Sequence, residues 1–126
     1  MLGRALDAAR DLGRQLTTLI PDHEGWPERR ADMLRWTRAF YALVAQSVRG
    51  ETDLAKLGEK LTTEERERLG RITERAPVVA TWISAHLGKL QELKQIDSSK
   101  LRAIDSNLTS LIQALGGCQR IRHTPV

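Results

Sequence analysis

One cysteine, Cys118, is all that the chain carries, so no internal disulfide can form, and no Cys/His grouping has the spacing of a metal site. Nothing in cysteine usage points to an oxidising compartment. Aromatic residues are scarce at 4%, which leaves core packing to aliphatic side chains carried on good helix formers, Leu, Ala, Arg, Glu and Lys. Long apolar runs are missing too. The longest uncharged windows, 76–88 and 106–119, fall short of the roughly 20 mostly apolar residues that cross a bilayer. Near the start, Asp7 stands where a signal peptide would be apolar. No P-loop, GxGxxG, GxSxG or HExxH pattern occurs, so the familiar phosphate cradles and activated nucleophiles are lacking. Two-residue alternation, Asn-Gly or Asp-Gly turns and fixed-period repeats are also absent, which argues against a sheet.

What the chain does have is enough for one domain. Its 126 residues, 40% hydrophobic and 29% charged, read as a single folded region covering 1–126 rather than a disordered segment. The formal net charge of +4 and pI near 9.7 would suit an anionic partner. However, arginines alternate with acids over most of the sequence, so basic composition alone decides nothing.

Helical periodicity organises the rest. Leu2, Leu6, Ala9, Leu12, Leu16 and Leu19 share one face of a helix ending at Pro21-Asp22. Pro27 opens a second helix with the stripe Met33, Trp36, Phe40, Val44 and Val48, closed by Gly50. Shorter pieces follow: Thr52 is placed to cap 53–59, and Thr62 with Glu65 has capping-box spacing for 64–72. Pro77 starts the next long helix, running to about Gln95, with Val79, Ile83, Leu87, Leu90 and Leu93 in register and Trp82 beside them. Asp97 or Ser98 caps a last helix burying Leu101, Ile104, Leu108, Leu111 and Leu115, which Gly116 and Gly117 should interrupt. The expected fold is all-α: an antiparallel bundle of about four long helices, with short helices between the second and third and no transmembrane helix.

Candidate chemistry is thin. His23, His86 and His123 lie far apart, without a carboxylate or cysteine at a ligand or catalytic spacing. Glu64, Glu65 and Glu67 alternate with Arg66 and Arg68, as expected of a solvated helix start whose acids favour the positive dipole end. Cys118 extends the stripe of Leu111 and Leu115 and reads as a small hydrophobe. Asn107-Leu108-Thr109 has the form of a glycosylation sequon but falls inside a helix, a chance match. No catalytic residue, cofactor site or metal site is expected, and the chain is read as non-enzymatic.

The final stretch is the most distinctive. After the glycine pair, Arg120, Arg122 and Thr124-Pro125 lead up to Val126, a pattern expected ahead of a further element, with basic residues as at the cytosolic flank of a membrane helix. Residues 115–126, LGGCQRIRHTPV, resemble the gly-cys-glu-arg-ile and thr-pro-ile-pro signature of bacterial and fungal bestrophin-type channels. Leu2 to Leu6 and Ala9 to Leu12 are similar to the stretch leaving the second transmembrane helix of that family. More loosely, Phe40 to Gly50 and Pro77 to Leu93 resemble its cytosolic helices.

The resemblance implies the cytosolic helical section between transmembrane helices two and three of such a subunit. In the complete protein it implies a homopentamer that conducts small ions, anions in many members and cations in some bacterial ones, with these helices around a cytosolic vestibule. Val126 matches an apolar pore constriction, and Gly117, Cys118, Arg120, Ile121, Thr124 and Pro125 match the family-like motif. Neck and acidic calcium clasp fall outside these residues, so the chain alone is expected neither to conduct nor to bind calcium in that way. The expected location is the cytoplasmic face of the cell membrane, or the cytoplasm if the chain stands alone. Two other readings stay open: a free-standing helical adaptor binding partners through an apolar stripe, and a basic helical nucleic-acid binder. The second would need arginines gathered on one face with exposed aromatics, whereas Trp36, Phe40 and Trp82 lie on or beside apolar stripes, so no nucleic-acid partner is expected.

Overall fold

Helix α1, Leu2–Thr18, buries Ala8, Leu12 and Leu16 along one stripe, with Ala9 and Leu19 half-buried beside it. These positions belong to a computed structural model that describes residues 2–20, 25–94 and 96–123, the side chains at 2, 4–6 and 114–123 excepted. The expected terminator of α1, Pro21-Asp22, lies outside the described residues, as do the side chains of Leu2 and Leu6.

Helix α2, Trp26–Arg49, starts one residue before Pro27, which sits in the first turn where a missing N–H breaks no intrahelical bond. Met33, Trp36, Phe40 and Val44 are buried as their three- and four-residue steps require, and Val48 is half-buried. At the far end Gly50 turns left-handed at φ 72°, and its N–H and that of Glu51 return to the carbonyls of Ser47 and Gln46. This satisfies carbonyls that the last turn would otherwise leave open.

The connection beyond Gly50 departs from expectation in one respect. Asp53, not Thr52, caps the first short piece: its Oδ1 accepts from the Ala55 N–H at 3.0 Å. The piece, Leu54–Lys60, is a 3₁₀ segment kinked at Gly58, where φ 54° with ψ −127° is open only to glycine. Its buried Leu57 and the following Leu61 fold it back onto the core. Helix α3, Thr63–Gly70, carries both halves of the capping box at Thr62 and Glu65 and ends short of Ile72.

Helix α4, Arg75–Glu92, begins two residues before Pro77, which is tolerated within the first turn. Val79, Ile83, Leu87 and Leu90 are buried, whereas Leu93, expected in register, is 47% exposed. Helical geometry stops at Glu92 and Lys94 turns left-handed at φ 56°, so the four-residue step no longer returns Leu93 to the core. Asp97 caps helix α5, Ser98–His123, accepting from the Lys100 N–H at 2.9 Å. The helix runs through Gly116 and Gly117 without interruption. Glycine keeps its N–H, so unlike proline it lowers helix stability, by about 1 kcal/mol relative to alanine, without removing a bond of the ladder.

Among the described residues the fold is entirely helical. Helix α1 packs against α5 and α2, α2 against α4, and α5 closes on both α2 and α4, while the 3₁₀ segment leans on α2 and α3. One continuous apolar core results, running from Leu12 and Leu16 through Phe40 and Ile83 to Ile104 and Leu111. Each such fully buried side chain contributes about 1.5–3 kcal/mol relative to its exposed state.

Candidate functional site

Two features rise above packing, and both are built on α2. The first is a polar and aromatic hub where α2, α3 and α4 meet. Residues 32, 35 and 36 share the face of α2 turned towards α3, and the capping box places Glu65 opposite them. Arg35 Nη1 donates to Glu65 Oε1 and to the Lys60 carbonyl at 3.1 Å, while Nη2 reaches Glu65 Oε2 at 3.3 Å and Asp32 Oδ1 at 3.0 Å. Trp36 Nε1 donates to Glu65 Oε2 at 2.8 Å. The indole also packs against Trp82, with centroids 5.7 Å apart, and edge-on against His86 at 4.8 Å. The guanidinium carbons of Arg35 and Arg68 lie over the faces of Trp36 and Trp82, 6.0 and 5.9 Å from the ring centroids.

Electrostatics of the hub follow from that geometry. Hydrogen bonding to Glu65, followed against burial by the Asp32 contact, raises the Arg35 guanidinium further above its ordinary value. Burial pushes the Glu65 carboxyl upwards, but hydrogen bonds from Arg35, the Thr62 backbone and Trp36 outweigh it and hold the group below the ordinary carboxylate range. Burial, and then the charge of Arg29, hold the His86 imidazole below its usual value against the pull of Asp32. Its Nδ1 is buried without a hydrogen-bond partner among the described residues.

The second feature is an open groove of about 580 Å³ between α1 and α2. Ala9, Gly13, Leu34, Tyr41 and Ala42 form an apolar floor. Arg10, Arg14, Arg38 and Lys60 rim it, and no carboxylate lines it among the described residues. A further hollow of about 630 Å³ between the end of α2 and the α3–α4 connection carries both signs of charge, Glu51 and Glu74 with Arg71 and Arg75. There the Arg75 guanidinium is committed to the fold, donating to the carbonyls of Leu69, Ile72 and Thr52 at 3.0, 3.1 and 2.9 Å.

Of the residues singled out from the sequence, Trp36, Glu65, Trp82 and His86 meet in the hub. Gly117, Cys118, Arg120 and Ile121 lie on the last turns of α5, while Thr124, Pro125 and Val126 lie outside the described residues. His23 also lies outside them, and the side chains of Leu115, Cys118 and His123 are not among those described. Glu64 and Glu67 are exposed, Glu64 pairing with Arg68 at 3.6 Å, but Glu65 is not the solvated acid expected of it. Its capping role was legible, whereas the ligands of its carboxylate, 29 and 30 residues away, carried no local signal. Asn107 of the sequon is half-buried, its amide donating to Gln15 Oε1 at 2.7 Å across the α1–α5 seam. Trp36 and Phe40 are buried and Trp82 half-buried, each engaged within the core. Among the described residues, no group of three or more His, Cys, Asp or Glu side chains is placed to hold a metal ion.

Long amphipathic helices around one apolar core, joined by an ion-pair hub and bearing an open cationic groove, define an all-helical module. Comparison with known proteins places it further. The chain belongs to the bacterial and fungal bestrophin family, whose model matches residues 1–126. It is 27% identical over 126 residues to a voltage-dependent anion channel-forming protein of Nostoc sp., covering 98% of this chain and 41% of that one. Its fold matches crystal structures of a Klebsiella pneumoniae bestrophin homologue bearing single substitutions. One superposes with a TM-score of 0.87 at 24% identity, covering 99% of this chain and 45% of the other. A second gives 0.85 at 25% identity, with 99% and 46% covered. The chain thus spans under half the length of these relatives. No described helix is long and apolar enough to cross a membrane.

Proposed function

We propose that these helices are the cytosolic scaffold of a bestrophin-type channel subunit, standing between its second and third transmembrane helices and surrounding an ion path below the membrane. The observation that carries the reading is family membership across all of 1–126, in a chain whose described helices are too short or too polar to cross a membrane. Supporting it, the Nostoc relative bears the name of an anion channel-forming protein. In the complete protein the subunits would assemble as a homopentamer and conduct small ions passively, with no cofactor and no nucleic-acid partner. The motif Gly117, Cys118, Arg120, Ile121, Thr124 and Pro125 would carry the chain from α5 back towards the membrane, and Val126 would form an apolar constriction. A hydrophobic ring of that kind gates by excluding water.

The test begins with the reading frame. Apolar runs of about 20 residues are expected immediately before Leu2 and after Val126; their absence on both sides removes the proposal. The extended protein, reconstituted into liposomes, should give single-channel currents, and Val126→Ser should raise conductance or open probability. Currents unaltered by that change would remove Val126 from the pore.

A further inference from the structure

The groove between α1 and α2 has a chemistry that the scaffold does not use. Arg10, Arg14 and Arg38 are exposed, and among the described residues no hydrogen bond or ion pair engages their side chains or that of Lys60. Several cations elsewhere are paired: Arg35 with Glu65, Arg49 with Glu51 and Arg68 with Glu64. Among the described residues, the groove thus sets four cations and no carboxylate around an apolar floor. Gly13 deepens the floor. A Cβ there would meet only Leu34 Cδ2, at an ordinary 3.5 Å, so neither backbone conformation nor tight packing demands a glycine, and a larger side chain would occupy the groove instead.

We propose that this groove binds a small anionic amphiphile, a single apolar chain lying over Gly13, Leu34 and Ala42 with a carboxylate or phosphate head at Arg10, Arg14 and Arg38. Its volume of about 580 Å³ lies within the usual size of a small-molecule site, mostly apolar with a few converging polar groups. A protein helix is the poorer fit. The α1 wall from Ala9 to Thr18 is about 13 Å long at 1.5 Å per residue, and a helix of that length, about 10 Å across, would more than fill the groove's 580 Å³. Nor do two helices expose the unpaired backbone edge that captures an extended peptide. The apolar floor, in turn, gives a free inorganic anion nothing to distinguish it from chloride. The inference rests on the groove alone and stands apart from the channel reading.

Dodecanoate, kept below its micelle concentration, is the direct probe, with dodecanol as the uncharged match, each titrated into the chain by calorimetry. Dodecanoate should saturate one site per chain and bind at least about tenfold tighter than dodecanol. Raising salt from about 0.05 M to about 0.5 M should weaken dodecanoate and leave dodecanol unchanged. Arg10→Gln with Arg38→Gln, both exposed positions, should cost dodecanoate about tenfold and dodecanol nothing. Gly13→Leu should abolish both while the thermal melt is retained; should that variant fail to fold, the arginine pair still decides. Equal affinity for acid and alcohol, indifference to the paired substitution, or no saturable binding would each overturn the proposal. Capture of an acidic amphipathic peptide at the groove in place of dodecanoate would do the same, in favour of a protein partner.

Discussion

Trp36 and Glu65 are joined by a hydrogen bond of 2.8 Å from the indole Nε1 to the carboxylate, a contact between the middle of α2 and the first turn of α3. The same carboxylate closes the α3 capping box and neutralises Arg35, so one acid serves an indole, a guanidinium and a helix end. Replacing it leaves the Trp36 indole and the Thr62 N–H without this acceptor, and Arg35 with only Asp32 and the Lys60 carbonyl.

Glu65→Ala should therefore cost about 2–3 kcal/mol, combining a lost cap of about 1 kcal/mol with donors left in partly dry surroundings. Urea unfolding measures it, and a loss below about 0.5 kcal/mol would show that water replaces the carboxylate without penalty. Glu65→Gln should cost less, because the amide oxygen can still accept from one donor. The pH dependence has a definite sign. The folded carboxyl is held below the unfolded one, so its stabilisation is complete above the unfolded value and drains away as pH falls through the folded value. In Glu65→Gln that part of the acid-side slope should vanish.

His86 makes a second pH prediction, nearer neutrality. Its imidazole is held low by burial and by Arg29, so the unfolded chain takes up the proton first as pH falls. Stability should be full above the ordinary imidazole value of about 6.5 and decline from there towards the lower folded value. His86→Phe keeps an aromatic edge against Trp36 and removes the titration. The difference between parent and variant in denaturant midpoint should then change between about pH 7.5 and about pH 5.5. A constant difference would mean that His86 titrates normally in the fold; His23 and His123, common to both proteins, cancel.

Arg75 ties the α3–α4 connection to the loop after α2 through three carbonyls. Lysine carries the same charge but cannot fork to three acceptors in one plane. Arg75→Lys is expected to lose nearly as much stability as Arg75→Ala, about 1–3 kcal/mol each. Full rescue by lysine would assign the effect to charge rather than geometry. Hydrogen exchange at residues 70–76 should rise in both variants.

The long helices were legible because their buried positions follow one period, as Met33, Trp36, Phe40 and Val44 do. Ends were legible where a residue type dictates backbone geometry, as Gly50 does, or where a side chain caps locally, as Thr62 does. The period misleads where the helix has already stopped: Leu93 kept the spacing and lost the core. At 52–53 the sequence reading put the cap on Thr52, one residue early; the Ala55 N–H went to Asp53. Both candidate sites were illegible for another reason. The Arg35–Glu65–Trp36 hub and the α1–α2 groove are made by contacts across tertiary distances, whereas the motif residues 117–126 were read from a resemblance in local order.

Gln15 and Asn107 test the α1–α5 seam. Gln15 is buried, 8% exposed, giving its Nε2 to the Ala103 carbonyl at 3.4 Å and accepting from Asn107 at 2.7 Å. Removing one partner should cost more than removing both. Gln15→Leu leaves the Asn107 amide facing an apolar side chain, an expected loss of about 1–3 kcal/mol, while Gln15→Leu with Asn107→Leu should recover much of it. A double-mutant cycle in urea gives the coupling, and additivity within about 0.3 kcal/mol would show that the pair does not interact. Because the Asn107 amide is already committed, glycosylation there in a secreted fusion should fail unless this seam opens.

Gly116 and Gly117 offer the last test, on a point where local reading and fold disagree. Two adjacent glycines at the end of an apolar stripe read as a stop, yet α5 continues past them to His123. If the helix persists there, each glycine destabilises it by about 1 kcal/mol relative to alanine, chiefly through backbone entropy. Gly116→Ala and Gly117→Ala should then increase helical circular dichroism and raise the melting temperature, together more than singly. A stop geometry predicts the reverse, because a left-handed cap residue resists alanine. If the paired substitution lowers helicity, α5 ends at the glycines in solution and the sequence reading was the better one.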